Sequence, residues 1–412
     1  MKNWIFIFTD GCRADIINDP KNTPYLHSFM DEFGGYKFTE AYSPATWTWA
    51  SLNSVFTGWL PSKHGCSDIT FERHDAIFKR SPGCFGGQNC NKEDYFTTEL
   101  GRQGYNRITW QNPRAHGQIT SAKQIEFDKW ILSDFDYDWY RFRVQGMIRE
   151  PIVKPFFYFI EMYEAGHAPF GPLPCTSREV YNAALATGKF PTEQEARTDS
   201  VKWSNENLVN LVKTQAQYWD KTQLHNFFFP WFVQNELYKD TAFLIFADHG
   251  IALRDENRWV GHGLNCYEEI THVPLWVYMP GHGRGLKEIN NLVSIVDIAP
   301  TIMDKDKIED GVNLFMHTKD RAVYLEHERW GIAAKDMDKE YSADQPPAVI
   351  IKGVRWKTYK LLRLKHKSGE VDFELYNFSK IRRENESTQI YDESILKEGV
   401  GLLKKQYPDM TF

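Results

Sequence analysis

The chain has 412 residues, of which 42% are hydrophobic, 25% are charged and 15% are aromatic. These proportions are typical of a soluble globular protein, and the length allows one large domain with an appendage or two domains. The net charge of -6 and the absence of lysine- or arginine-rich runs argue against a surface for nucleic acid or for an anionic membrane.

The sequence shows no sign of secretion or membrane insertion. The first three residues lead directly into an apolar run, without the charged, apolar and cleavage regions of a signal peptide. No apolar run reaches the length of a membrane span. Six scattered cysteines favour reduced thiols over a disulfide framework. We therefore expect a cytoplasmic protein without a membrane span, whose oligomeric state the sequence leaves open.

The first half of the chain predicts a parallel sheet. Residues 4–9 form an apolar run that ends at Asp10 and is typical of a buried strand. Residues 43–58 begin as a loop, become helical near Thr48 and stop at Gly58, a residue type that often ends helices. Short apolar runs alternate with helical stretches up to about residue 130, as in a sheet with crossover helices.

Two later apolar runs also end in polar residues. Residues 156–160 predict a buried strand followed by Glu161. Residues 243–247 predict another, followed directly by Asp248 and His249.

The remaining segments complete the predicted α/β fold. Residues 173–240 are expected to be mainly helical, and residues 272–279 predict a further strand. Beyond residue 320, three short apolar runs predict a small antiparallel sheet, which an amphipathic helix over residues 394–406 closes. We therefore predict a catalytic domain over residues 1–320 and a C-terminal subdomain over residues 321–412.

Asp10, Asp248 and His249 each follow a predicted buried strand. Because ligands in open α/β sheets lie at the carboxyl ends of parallel strands, these side chains can converge in one crevice. Two carboxylates and one imidazole suit Mn²⁺, Zn²⁺, Mg²⁺ or Ca²⁺. Either aspartate alone could merely begin a loop. Their shared context predicts a divalent metal site.

Thr48 lies at the start of a predicted helix. The unpaired N–H groups and the dipole of a helix N-terminus favour an anion, such as a phosphate, a sulfate or a developing alkoxide. A threonine hydroxyl is a poor nucleophile at neutral pH, and a nearby Lewis-acidic cation would activate it. The local pattern also has a simpler explanation, in which Thr48 is only the N-cap residue.

Seven fragments in the right order resemble the sulfatase branch of the alkaline phosphatase superfamily. They are residues 9–15, 23–26, 48–58 with 61–65, 247–250, 261–269 with 273–275, 296–301 and 374–377. The resemblance covers most of the chain and implies helices around a large, mostly parallel sheet. It also implies that Asp10, Asp248 and His249 bind a divalent metal, and that Thr48 attacks phosphorus or sulfur.

The nucleophile position departs from that of true sulfatases. Those enzymes oxidise a Cys or Ser to formylglycine with the support of an Arg, whereas this chain has Thr48 and Leu52 at the matching positions. The methyl group on the β-carbon of Thr48 would give a ketone in place of the aldehyde. Gly11 after Asp10, together with Thr48, is more similar to the superfamily's nucleotide pyrophosphatase/phosphodiesterases, which use Thr as nucleophile.

The resemblance implies further site residues. His262 stands where many sulfatases have a sulfate-binding lysine, and His167 where the phosphodiesterases place a histidine on a second metal. Either histidine could protonate the leaving group or bind the anion, or be merely structural. Asn112 lies near the place of another sulfatase lysine and could bind substrate. Because Tyr163 replaces the aspartate expected before His167, one metal site is expected and a second is left open.

Two other side chains are candidate substrate contacts. Arg13 could touch the anion, but a salt bridge to Asp15 or to a carboxylate at the sheet edge is the favoured use. Trp47 lies beside Thr48 and could bind an aryl, nucleoside or lipid-like leaving group. Three more tryptophans, Trp49, Trp59 and Trp110, lie near the same region in the sequence, and about half of the four are expected in the core instead.

These observations together predict a metal-dependent hydrolase of small-molecule or lipid-like phosphate esters, either diesters or monoesters, that forms a covalent intermediate on Thr48. Three alternatives remain open. They are a sulfuric ester hydrolase without formylglycine, a phosphoryl or headgroup transferase, and a catalytically silent member kept for binding. Retention of Asp10, Asp248 and His249 argues against the last.

Overall fold

The computed structural model describes residues 2–66, 89–111, 125–132, 146–162, 165–166, 204–258, 260–263, 265–316, 321–328, 350–366 and 368–411. The first strands in chain order are β1 (Asn3–Thr9), β2 (Gly35–Phe38), β3 (Ala41–Tyr42), β4 (Asn106–Gln111), β5 (Lys129–Leu132), β6 (Phe156–Glu161), β7 (Thr241–Ala247), β8 (Ala252–Leu253) and β9 (Val260–Gly261). The later ones are β10 (Leu275–Tyr278), β11 (Lys287–Ile289), β12 (Val293–Ser294), β13 (Lys307–Ile308), β14 (Gly311–Val312), β15 (Ala322–Glu328), β16 (Ile350–Trp356), β17 (Tyr359–Lys365) and β18 (Val371–Asn377).

Helices connect and cover the strands. The α-helices are α1 (Ala14–Ile17), α2 (Pro24–Phe33), α3 (Thr48–Thr57), α4 (Pro61–His64), α5 (Phe96–Arg102), α6 (Asn205–Tyr218), α7 (Phe229–Gln234), α8 (Glu268–Thr271), α9 (Ile298–Ile302) and α10 (Glu393–Gln406). A π-helix, Trp219–Phe228, joins α6 to α7, and 3₁₀ turns occupy Lys92–Asp94, Leu237–Lys239, Asp255–Asn257 and Ile295–Asp297. In the described part of the chain, no helix is both long and apolar enough to cross a bilayer.

The central sheet has eight strands in the order β11-β2-β10-β7-β1-β6-β4-β5. Only β10 runs antiparallel to its neighbours. Strands β1, β6 and β7 are buried along their whole length, which explains their continuous apolar runs. The predicted mostly parallel sheet is therefore present.

Aromatic side chains fill the core beside β1. The Phe6 ring meets Phe157 and Phe246 edge to face, with centroids 5.0 and 5.7 Å away. Such pairs contribute roughly 0.5–1.5 kcal/mol each beyond the area that they bury. Much of the aromatic excess of this chain is thus core, and Trp110, which is fully buried, belongs to it.

The C-terminal sheet is formed by β15, β16, β17 and β18 in that order, and all its pairs are antiparallel. Helix α10 packs against β16 and β17, with Leu403 in their shared apolar cluster. The prediction of a small antiparallel sheet with a closing helix is confirmed, but it had three strands and missed β15. The domain boundary near residue 320 stays a prediction.

Buried His64 ties α4 to α3. Its Nε2 lies 3.0 Å from Ser54 Oγ, and the backbone N–H of Cys66 donates to its Nδ1 at 3.1 Å. Nδ1 therefore accepts a hydrogen bond, and protonation of the ring at this nitrogen would break that bond. Burial lowers the pKa of His64 to about 4.

Neutral His64 makes stability depend on pH. The unfolded chain protonates this residue below about pH 6.5, whereas the folded protein does so only near pH 4. The contribution of neutral His64 to the free energy of unfolding is therefore fully present above pH 6.5. It is lost as the pH falls towards 4, by about 3 kcal/mol in all.

We expect His64→Gln to flatten the pH dependence of the free energy of unfolding between about pH 6.5 and 4. Urea unfolding at half-unit pH steps measures it, with His225→Gln at an exposed position of the π-helix as control. Parallel curves for wild type and His64→Gln would contradict the prediction.

Candidate active site

The ends of two neighbouring strands bring the predicted metal ligands together. Strands β1 and β7 pair in parallel with Thr9 opposite Ala247, so Asp10 and Asp248 leave the sheet side by side. The potential ligand atoms of Asp10, Asp248 and His249 all lie within 4.8 Å of one another, and all three residues are buried. The expected convergence at the carboxyl edge of the sheet is therefore present.

Backbone groups orient the carboxylate of Asp248. Its Oδ1 accepts hydrogen bonds from the N–H of Gly11 at 3.2 Å and of His249 at 2.9 Å. Gly11 has a φ of 64°, in the left-handed region that glycine adopts without strain. The glycine that follows Asp10 thus lets the β1 loop donate to the neighbouring strand's carboxylate.

The ring of His249 presents one nitrogen to the cluster. Nδ1 lies 2.7 Å from the carbonyl oxygen of Gly250, which accepts its proton in the neutral ring. Nε2 faces Asp248 Oδ2 at 3.3 Å and Asp10 Oδ1 at 3.5 Å. A β-carbon on Gly250 would lie 2.2 Å from the carbonyl oxygen of Glu269, so this turn requires glycine.

The donor set fits a divalent cation. Two buried carboxylates lie at close range beside His249, an arrangement that a divalent cation would stabilise. Asp248 Oδ2 is buried and accepts no hydrogen bond from any described residue. Two carboxylate oxygens and one imidazole nitrogen suit Mn²⁺, Zn²⁺ or Mg²⁺. That these residues bind a metal stays a prediction.

Thr48 is the first residue of α3, and its hydroxyl points at the cluster. Oγ1 lies 3.2 Å from His249 Nε2 and 3.4 Å from Asp10 Oδ1. Trp47 occupies the N-cap position, so the simpler explanation of Thr48 as the N-cap residue is wrong. The helix begins at Thr48 because Trp47 is extended, and it ends at Gly58 with a φ of 74°.

His262 lies against the predicted metal ligands. Its ring stacks on that of His249, with centroids 4.4 Å apart and an angle of 24° between the planes. Trp47 and Trp49 are half-buried on either side of Thr48, with ring centroids 5.6 Å apart. Two of the predicted site residues, His262 and Trp47, therefore lie beside the predicted metal ligands and beside Thr48.

Arg13 has the second of its two anticipated uses. The buried guanidinium pairs with Asp15 and with Asp255, each at 2.8 Å. Burial disfavours its charge, but the two carboxylates outweigh burial and raise the pKa of Arg13. This pairing accounts for the side chain without a substrate anion. Asn112 and His167 lie outside the described residues, so their predicted roles are untested.

Several residues that no sequence pattern indicates hold the segment that leads into Thr48. The α3 entry loop, residues 43–47, receives contacts from β15, and His327 Nδ1 lies 2.9 Å from Thr46 Oγ1. Ser43 Oγ and Ser51 Oγ, 3.0 Å apart, join the loop to α3. None of these residues falls in a buried apolar run, so no pattern marks them.

Comparisons with known proteins agree with this architecture. A sequence profile of the sulfatase family matches residues 2–305. A segment of 71 residues is 35% identical to human (Homo sapiens) arylsulfatase K, a match that spans 17% of this chain and 13% of that protein.

Two solved structures illustrate the shared fold. A phosphonate monoester hydrolase from Silicibacter pomeroyi superposes with a TM-score of 0.67 at 15% identity, over 98% of this chain and 94% of that one. BT4656, in complex with its substrate D-glucosamine-2-N,6-O-disulfate, gives 0.66 at 16% identity, over 99% and 98% of the two chains. The predicted fold class and family resemblance are confirmed.

We expect Asp10→Asn to change the response to metal in a specific way. In EDTA the variant should melt at or above the wild-type temperature, because it lacks one of two like buried charges. With Mn²⁺ at about 100 times its Kd, wild type should gain roughly 2.7 kcal/mol and the variant far less. Thermal melts with and without Mn²⁺ measure both effects.

A buried aspartate with its own cation provides the control. Asp297 pairs with Arg321, so Asp297→Asn should lower the melting temperature equally in EDTA and in Mn²⁺. Equal Mn²⁺ responses of Asp10→Asn and wild type would contradict the predicted ligand set.

Proposed function

The chain belongs to the sulfatase family, and we propose that it is a metal-dependent hydrolase of phosphate esters with Thr48 as its nucleophile. One observation carries the proposal. The Thr48 hydroxyl, at the N-terminus of α3, lies 3.2 Å from His249 Nε2 and 3.4 Å from Asp10 Oδ1, inside the predicted metal site. A hydroxyl in that place can attack an ester centre held at the same site.

The residue at the nucleophile position favours phosphorus over sulfur. Formylglycine can expel sulfate from its hydrate, but a threonine cannot be converted to that aldehyde. Sulfate transferred to Thr48 would remain as a stable ester. Leu52, buried and apolar, stands where the formylglycine enzymes have the supporting arginine. A phosphoryl group on Thr48 can instead be released by attack of water on phosphorus.

Each residue of the site has a role in this reaction. Asp10, Asp248 and His249 would hold the cation, which when bound supplies a Lewis acid that favours the Thr48 alkoxide. Thr48 Oγ1 attacks phosphorus in line as the bond to the leaving oxygen breaks. The backbone N–H groups at the start of α3 stabilise negative charge on the phosphoryl oxygens. Water then attacks phosphorus and breaks its bond to Thr48 Oγ1, which regains a proton. The product is phosphate from a monoester or a phosphomonoester from a diester.

His262 is the proposed proton donor to the leaving group. It stacks on His249 at the edge of the ligand cluster and is partly exposed. An imidazole titrates near pH 6.5 when unperturbed, which suits proton transfer at neutral pH. His167 and Asn112 remain candidates for the same region of the site, from outside the described residues.

The substrate class remains a small or lipid-like phosphate ester. Half-buried Trp47 and Trp49 flank Thr48 and offer apolar surface to an aryl, nucleoside or lipid-like leaving group. The similar protein from Silicibacter pomeroyi is a phosphonate monoester hydrolase, which makes phosphonate monoesters a natural addition to diesters and monoesters.

A sulfuric ester hydrolase without formylglycine is the second candidate. The family match and the sulfated sugar bound by BT4656 favour it. The two candidates differ in the atom attacked, so paired substrates with one leaving group separate them.

We expect kcat/KM for aryl phosphate esters to exceed that for the matching aryl sulfate, because only the phosphoryl group leaves Thr48 readily. The preference is measured from steady-state rates with Mn²⁺ and with Zn²⁺. The substrates are the 4-nitrophenyl esters of phosphate, of a phosphate monoester (a diester substrate), of a phosphonate and of sulfate. A sulfate preference of about tenfold or more, roughly 1.4 kcal/mol in the barrier, would establish the second candidate.

Thr48→Ala should abolish turnover, because the covalent step needs the hydroxyl, while leaving the fold and Mn²⁺ binding intact. Thr48→Ser keeps the hydroxyl and should stay partly active. Single-turnover assays with mass spectrometry of the acid-quenched enzyme should find a phosphoryl adduct on residue 48 in wild type. Activity of Thr48→Ala within about tenfold of wild type would exclude Thr48 as nucleophile and leave water as the attacking group.

A further inference from the structure

The α3 entry loop is attached to the edge strand of the C-terminal sheet. The backbone N–H of Glu326 in β15 donates to the carbonyl oxygen of Pro44 at 2.8 Å. The next residue, His327, places Nδ1 2.9 Å from Thr46 Oγ1. Both His327 and Thr46 are buried. Two consecutive residues of β15 therefore hold the loop by its backbone and by a side chain.

The side chain of Glu326 holds the other flank of α3. Its carboxylate accepts hydrogen bonds from the N–H and the hydroxyl of Ser62 in α4, each at 2.8 Å. Burial alone would raise its pKa, but Lys352, with Nζ at 2.7 Å, outweighs burial and lowers the pKa of Glu326. The group therefore stays a carboxylate. Glu326 and His327 thus hold the segment before α3, and Glu326 also holds the segment after it.

This arrangement bears directly on Thr48. Only Trp47 separates Thr46 from Thr48, and Trp47 is extended, with a φ of -157°. Movement of Thr46 is therefore transmitted along the backbone to the first residue of α3. The Thr48 hydroxyl must keep contacts of 3.2 and 3.4 Å with the ligand cluster, a tolerance that a loosened entry loop would exceed.

We infer that His327 is a positioning residue for the nucleophile, acting through its hydrogen bond to Thr46. This inference rests on the proposed function, because it takes Thr48 as the attacking group. Displacement of a reacting atom by about 1 Å can lower a rate about 100-fold. The C-terminal sheet then contributes to catalysis by holding the α3 entry loop.

A merely structural role would produce a different result. If the hydrogen bond only stabilised the fold, its loss would lower the melting temperature and leave the turnover of each folded molecule unchanged. If it positions Thr48, kcat falls while KM for a substrate bound by other groups changes little. The division between kcat and KM, measured where every variant is folded, separates the two roles.

The test compares Thr46→Val, His327→Ala and His327→Asn in the full chain with saturating Mn²⁺ and the best aryl phosphate. Thr46→Val and His327→Ala should each lower kcat by about 10- to 100-fold, with KM within about threefold of wild type. His327→Asn, whose amide can reach the Thr46 hydroxyl in place of Nδ1, should recover at least a third of wild-type kcat. Values of kcat within threefold of wild type for both disruptive variants would overturn the inference.

Thr46→Val keeps the shape of the side chain, so it decides the matter if His327→Ala does not fold. The kcat of the double variant should be no lower than that of the worse single variant, because Thr46→Val and His327→Ala break the same hydrogen bond. Multiplied losses would overturn the inference.

Val354→Ala is the matched control. Val354 is buried in β16 of the same sheet, in the cluster with Leu403. Its replacement by alanine should lower the melting temperature without changing kcat. A comparable fall in kcat for Val354→Ala would show a general effect of the sheet and overturn the role of His327.

Thr48→Ala separates the two proposals. If it stays active, the proposed function fails. If it is inactive while Thr46→Val and His327→Ala turn over normally, the inference about His327 alone fails.

Discussion

Two like charges buried side by side are the constraint on which this site depends. The parallel register of β1 and β7 places Asp10 next to Asp248, and both carboxylates are removed from water. Coulomb repulsion and lost hydration make such a pair unfavourable by itself. His249 turns its Nε2 between them, and the backbone N–H of Gly11 donates to Asp248 Oδ1. The proposed divalent cation would resolve the conflict, and the Thr48 hydroxyl, within 3.5 Å of the same atoms, would lie in its field.

Helix α3 is held between the central sheet and the C-terminal sheet. Its first residue faces the carboxyl edge of the central sheet, while its flanks are fixed to β15 of the C-terminal sheet. A second junction lies nearby, where fully buried Lys360 of β17 pairs with Glu384 at 2.7 Å and Glu268 at 3.1 Å. Buried ion pairs add little net stability compared with apolar packing, but breaking one is costly, so they favour one arrangement of the parts that they join.

The chemistry at residue 48 separates the family's fold from its usual reaction. The fold brings the predicted cation site and a helix N-terminus to one place, and either phosphoryl or sulfuryl transfer can use such an arrangement. The choice between the two rests on how the enzyme releases the transferred group. A threonine ester has only the route of attack by water, which serves phosphorus better than sulfur. With Thr48 as the proposed nucleophile, the difference between threonine and formylglycine therefore says more about the reaction than the shared fold does.

Local patterns in the sequence were sufficient for the buried strands, the α/β class and the convergence of Asp10, Asp248 and His249. Continuous apolar runs reveal strands buried on both faces, and the parallel sheet brings their polar ends together. Tertiary structure alone decided where Arg13 and His327 direct their side chains. Arg13 pairs with Asp255, 242 residues away, and His327 meets Thr46, 281 residues away. Strand β15 begins with an apolar run, residues 322–325, but its last three residues, Glu326, His327 and Glu328, are polar and no local pattern indicates their partners. The physical reason is that burial imposes a periodicity on the sequence, whereas the partner of a polar side chain depends on how distant segments pack.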